Sequence, residues 1–130
     1  MPDVVTYRDL DAWSQSMDLV EQCYKVTRSF PADERFGLTS QLRRAACSIP
    51  SNVAEGHCRR STAVYANHVS IALGSHGELE TSLDIACRLG MLSKAEKLAL
   101  DLATASVGRL LSGLHRSLEN KIARSIPPRR

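Results

Sequence analysis

Apolar side chains recur every three or four residues through most of this chain. That spacing constrains it more than any other feature, because only an α-helix returns a side chain to the same face at that interval. The longest run is Tyr65, Val69, Ala72, His76, Leu79, Leu83 and Ala86, leading to Gly90. Ser61 or Thr62 suits the cap at its start, and a helix over residues 62–89 is roughly 42 Å long. Gly74 and Gly77 lie inside it, each costing about 1 kcal/mol relative to Ala. Such glycines predict a neighbouring backbone passing close by.

Three more stripes accompany it. Leu10, Trp13, Met17, Val20, Tyr24 and Thr27 predict a first helix, which stops at Phe30-Pro31 because the residue before a proline is pushed out of the α region. A loop, PADERFG, follows. Leu38, Leu42, Ala45, Ile49, Val53 and Gly56 predict a second helix, with Gly56 suited to a C-terminal cap. Pro50 interrupts this run and removes the amide that would bond the Ala46 carbonyl. Either a new helix begins there with Ser48 as its cap, or one helix bends at Pro50; the unbroken phase of the stripe favours the bend. The fourth helix opens on a capping box, Ser93-Lys94-Ala95-Glu96, and continues through Leu100, Ala103, Val107, Leu111, Leu114, Leu118 and Ile122. Strand patterns are absent. The expected fold is therefore all-α, an antiparallel up-and-down four-helix bundle with helix two bent at Pro50. Residues 1–123 form its single domain, and residues 124–130 (RSIPPRR) form a disordered basic tail.

Two helices carry more apolar surface than one core needs. Ala12, Leu19, Cys23, Val26 and Phe30 lie beside the first stripe of helix one, and Leu98, Leu102, Ala105 and Leu110 beside that of helix four. A bundle helix needs one apolar arc of a little over 100°. The wider arcs predict a second buried surface, and association of identical copies supplies it most economically.

Length and composition limit the remaining options. The 130 residues suffice for one core. No stretch approaches the roughly 18 consecutive apolar residues of a membrane span. The opening MPDVVTYRDLD places acids where an export signal needs a basic and then an apolar region, so a cytoplasmic protein is expected. Cys23, Cys47, Cys58 and Cys87 are then thiols, and no CxxC pair points to zinc or redox chemistry. The net charge is +3, and the three arginines of residues 124–130 account for all of it. Within the body, residues 35–60 carry +4.

The densest basic elements are Arg43-Arg44, placed on the outer face of helix two, and Arg59-Arg60 just past its end. They are the candidate contacts for RNA or DNA phosphates. One Trp, three Tyr and two Phe, mostly on core stripes, leave no evident platform for stacking bases. Other chemistry finds little footing. A di-metal bundle site needs Glu-x-x-His pairs, and none exists among Glu55, Glu78, Glu80, His57, His68 and His76. His76 sits on the apolar stripe, where a hydrogen-bonded core histidine is the expected outcome. Cys58 beside Arg59 has no orienting third group, and no phosphate loop, GxSxG or HExxH occurs. No enzyme activity, catalytic residue, metal, cofactor or small-molecule substrate is expected. Ser48, Ser51, Asn52 and Glu55 surround Pro50 and are read as polar partners for the carbonyl that the proline frees.

The segment FPADERFGLTSQLRRAACSIPSNVAEG (30–56), then RRS (59–61) and IALGSHGELETSL (71–83), resembles a family of small bacterial four-helix-bundle proteins. These are related to proteins encoded within intervening sequences of 23S ribosomal RNA genes and are often called ribosomal-protein-like. The resemblance spans about residues 7–92. Gln41, Arg43, Arg44, Ser48, Pro50, Asn52, Glu55 and Gly56 match its motif, and Arg60, Gly74, Ser75, Glu78 and Glu80 continue it. It implies an up-and-down bundle assembling into a ring of five, without known enzymatic activity. It also implies a distant similarity to the accessory variability proteins of retroelements, which serve a reverse transcriptase and its RNA. His57-Cys58, Val64 and His76 depart from the family pattern.

Overall fold

The computed structural model describes residues 4–127. Its four helices are α1 (Asp11–Thr27), α2 (Leu38–His57), α3 (Thr62–Arg88) and α4 (Lys94–Ser125), with short 3-10 turns at Tyr7–Asp9 and Ala32–Glu34. No strand occurs among the described residues. Each helix touches its sequence neighbours, α1 closes the ring against α4, and the diagonal pairs do not meet. Contacts pair early residues with late ones. Thr27 meets Arg43 and Tyr24 meets Cys47, Ser48 meets Ser75 and Asn52 meets His68, and Asp84 meets Lys97 while His76 meets Thr104. Each helix thus runs back along its predecessor.

Local signals explain most boundaries. The Ser61 hydroxyl accepts from the Val64 amide, and Ser93 and Glu96 form the reciprocal box that satisfies two free amides. The turn before α1 has a similar box, with Thr6 capped by Asp9. The Asp9 carboxylate accepts from the Thr6 and Val5 amides, which hold its pKa below the ordinary range. At the end of α3, Gly90 takes a positive φ of 78°, Met91 N–H bonds the Ala86 carbonyl and Gly90 N–H that of Cys87. This paired closure needs a left-handed residue, which glycine supplies without a Cβ penalty.

The core joins Leu19 and Cys23 of α1, Leu42, Ile49 and Val53 of α2, Leu79 and Leu83 of α3, and Leu100, Val107 and Leu111 of α4, all nearly inaccessible to solvent. A smaller cluster around Ala66, Val69 and Leu118 fills the end beside Tyr65.

The structure departs from the expectations at four places. In α1 the second line is the more deeply buried: Ala12, Leu19 and Cys23 face the core, while of the first stripe Thr27 is buried, Leu10, Trp13 and Val20 pack against the core's edge, and Met17 and Tyr24 are each 38% exposed. Both lines are apolar, and only the position of the neighbouring helices decides which turns inward. Gly56 is not a cap, since α2 continues to His57. A Cβ on Gly56 would lie 2.8 Å from the Cβ of His68 and 2.8 Å from Tyr65 Cδ1, so this glycine lets α3 approach. Gly74 and Gly77, expected to mark such an approach, have open space around them. The crowded glycine of the α3–α4 contact is Gly108, against the His76 ring. Finally, α4 carries Arg124 and Ser125 in its last turn, so the helix enters the stretch expected as tail; residues 128–130 lie outside the described residues. α2 is one continuous helix across Pro50, which excludes a fresh start there.

Candidate binding groove

α2 positions eight of the twelve candidate residues, and its helical period sends them in three directions. Pro50 and Gly56 are buried, and they shape the helix and its packing. Ser48 and Asn52 turn toward α3. There the Ser48 and Ser75 hydroxyls pair at 2.7 Å, and the Asn52 amide donates to the Ser48 carbonyl at 2.9 Å and to its hydroxyl at 3.1 Å. The Asn52 Oδ1 meets His68 Nδ1 at 3.1 Å, and Glu55 stands 4.0 Å from His68 Nε2. The polar set expected to serve the carbonyl of Ala46 therefore bonds Ser48 instead and ties α2 to α3. Ser51 is exposed. Helical spacing within α2 does not reveal His68 as a member of this network, because i, i+4 arithmetic describes one helix and not its neighbour.

Beside this tie lies an open groove of about 520 Å3 between α2 and α3, lined by Phe36, Gln41, Arg44, Ser48, Ser75 and Glu78 among others. Residues of the sequence motif thus converge on one surface. Glu80 and Gly74 stand apart from it. Glu80 faces His76 Nδ1 at 3.3 Å on the α4 side, and the other ring nitrogen of His76 meets the Thr104 carbonyl at 2.7 Å. His76 is the hydrogen-bonded interior histidine expected.

A second groove of about 360 Å3 runs on the other side of Phe36, lined by Tyr24, Arg35, Phe36, Thr39, Ser40, Arg43, Arg44 and Cys47. Arg43, expected on the outer face, is half-buried: its Nε donates to Thr27 Oγ1 at 2.8 Å and its guanidinium covers the Tyr24 ring at 4.3 Å. The Tyr24 hydroxyl lies 3.8 Å from Cys47 Sγ, a contact that raises the phenol pKa. Arg44 is exposed and reaches Ser40 Oγ at 3.2 Å. Arg35 stacks over Phe36 at 4.7 Å, and Phe36 itself is 85% exposed.

Arg59 and Arg60 belong elsewhere. They lie past the far end of α2, some fifteen residues on, or roughly 20 Å of helix from Arg43-Arg44. Arg59 pairs with Glu55 at 3.3 Å, and Arg60 is exposed. The two arginine pairs do not form one surface within a chain. Arg35 and Phe36, rather than Arg59 and Arg60, lie beside Arg43-Arg44, and the sequence signal for them is an aromatic residue belonging to no helical stripe. That ring belongs to no core stripe and stays exposed, since a loop aromatic need not enter the core.

The family model described as 23S rRNA-intervening sequence protein matches residues 8–113. The chain belongs to that family. It is also similar in fold to a solved protein of unknown function from the S23 ribosomal protein family of Bacteroides thetaiotaomicron VPI-5482. The TM-score is 0.75 at 19% identity, covering 81% of this chain and 95% of that one. No curated protein matches the chain.

In this 23S rRNA-intervening sequence protein, both grooves and the α2–α3 tie fall inside the matched span. Among the described residues, no three His, Cys, Asp or Glu side chains gather as a metal-holding group. His57 packs edge-on against Tyr65, with ring centres 5.7 Å apart, and Cys58 is exposed at the end of α2. No described helix is long and apolar enough to cross a membrane.

Proposed function

We propose that this protein is a non-enzymatic, cytosolic, homo-oligomeric helical scaffold, built as a ring of five copies. One observation carries the reading: the outward face of α4. Leu98 is 62% and Leu102 66% exposed, and Ala95, Ala99 and Ala105 continue the same exposed apolar strip. Such a strip on a small protein favours burial against another copy. The ring of five comes from the family resemblance, and four reduced thiols suit the cytosol.

Native mass spectrometry and light scattering test it. The expected mass is five times the 14.3 kDa chain, and a monomer at micromolar concentration overturns the reading. Leu98→Glu with Leu102→Glu is expected to dissociate the assembly while leaving helical circular dichroism intact, because neither side chain enters the core.

A second reading, a nucleic-acid accessory, is favoured by the groove beside Phe36, which Arg35, Arg43 and Arg44 line. In a ring each such groove is repeated, which multiplies the attraction for a polyanion. RNA binding that weakens steeply with salt is expected, and the absence of binding at low salt overturns it.

A further inference from the structure

We infer that the groove between the end of α1 and the start of α2 binds single-stranded nucleic acid one nucleotide at a time, with phosphate held by Arg35 and Arg44 and the base stacked on Phe36. This rests on the nucleic-acid reading and gives it a site and a substrate class. Three guanidiniums, of Arg35, Arg43 and Arg44, line one groove of about 360 Å3, and no carboxylate lines it. Among the described residues none of the three has a carboxylate within ion-pair distance, whereas Arg59 and Lys97 do. The nearest acid in sequence, Glu34, is not among the lining residues, and its Oε2 is engaged by the Leu38 amide at 2.9 Å. Glu78 lines the adjoining groove that shares Arg44, but no carboxylate pairs with these like charges, which leaves them open to the neutralisation an anion would supply; a planar guanidinium fork fits a phosphate bidentately.

The aromatic ring narrows the class of anion. Phe36 is 85% exposed, although burying a phenylalanine side chain is ordinarily worth about 1.5–3 kcal/mol. Arg35 lies over it at 4.7 Å, and Tyr24 stands on the opposite wall under Arg43. An open π-face beside cations is what an unpaired base uses. A duplex keeps its bases stacked inside and would leave Phe36 idle, and an acidic peptide would use the arginines without the ring. Arg43 holds Thr27 and Tyr24 as well, so it acts here chiefly as the fixed wall of the groove.

The experiment is fluorescence anisotropy of a labelled short oligouridylate with the full chain at low salt. Phe36→Ala is expected to weaken binding roughly tenfold. Arg35→Ala and Arg44→Ala should each weaken it and lower the slope of log affinity against log salt by about one. All three side chains are exposed, so melting temperatures should stay close to the parent's. Arg59→Ala, at the far end of α2, should bind as the parent does. If the parent binds but Phe36→Ala and Arg44→Ala bind equally well, this site is wrong while the nucleic-acid reading stands. If the parent does not bind, both fall. Equal competition by duplex RNA or by polyglutamate would overturn the single-strand assignment.

Discussion

At the scale of single residues, space around a Cβ decides what a glycine is for. Gly56→Ala is expected to cost about 1–3 kcal/mol, because the new methyl meets the His68 Cβ and the Tyr65 ring at 2.8 Å and neither backbone can withdraw freely. Gly74→Ala and Gly77→Ala, in open space within α3, should each stabilise by about 0.5–1 kcal/mol. Urea melts of the three variants measure the contrast, and a destabilising Gly74→Ala would show that another surface covers that face. Ionisation follows burial in the same way. Burial pushes the Cys23 thiol and the Tyr65 phenol each up to about 12. The unfolded chain releases these protons near their ordinary values, about 8.5 and 10. Folding stability should therefore hold through neutrality and decline above about pH 9, as the unfolded state loses protons that the folded state keeps. Melts at neutral and alkaline pH check the direction. Native thiol titration should find Cys58 first and Cys23 only after unfolding, since one is exposed and the other fully buried.

At the scale of elements, α2 is the working part. It carries the tie to α3, both grooves and a proline in mid-helix. The lost amide and the ring's clash with the preceding turn predict a bend, so Pro50→Ala should leave the fold intact and straighten the helix. A crystal structure with an unchanged α2 axis would place the cause of any bend elsewhere. Between α3 and α4 the Lys97 ammonium bridges Asp84 and Asp101, each at 2.7 Å, and these partners raise its pKa. The bridge is fully present below the ordinary lysine range and is lost only as pH rises through the elevated value. Both carboxylates are well exposed, so Lys97→Met should cost about 1 kcal/mol or less, and less still in high salt. Helix positions and types were legible in advance because caps and periodicity are local. Which apolar line of α1 turns inward was not, since Ala12-Leu19-Cys23 and Trp13-Met17-Val20 offer the same kind of surface.

At the scale of the whole molecule, one ring of four helices closes around a core in which Leu79 is completely covered. Leu79→Ala should cost about 2–5 kcal/mol, read as a lower urea midpoint at constant slope. A loss under about 1 kcal/mol would mean the neighbouring helices collapse into the gap. The exposed strip on α4 lies opposite this core, so truncating it should change assembly and leave the chain's own folding free energy nearly unaltered.

From the amino-acid order alone came the four helices, the caps at Ser61 and Ser93 and the motif that marks the family, because each depends on residues a few positions apart or on a pattern of fixed spacings. The tertiary structure decided what depends on distance through space. It turned Arg43 onto Tyr24, brought His68 to Asn52, gave Gly56 and Gly108 their neighbours, and left Phe36 uncovered beside Arg35 and Arg44. The physical reason is that helical period fixes the direction of a side chain on its own helix, whereas the site lies where two helices and a loop meet, and only packing sets which directions coincide.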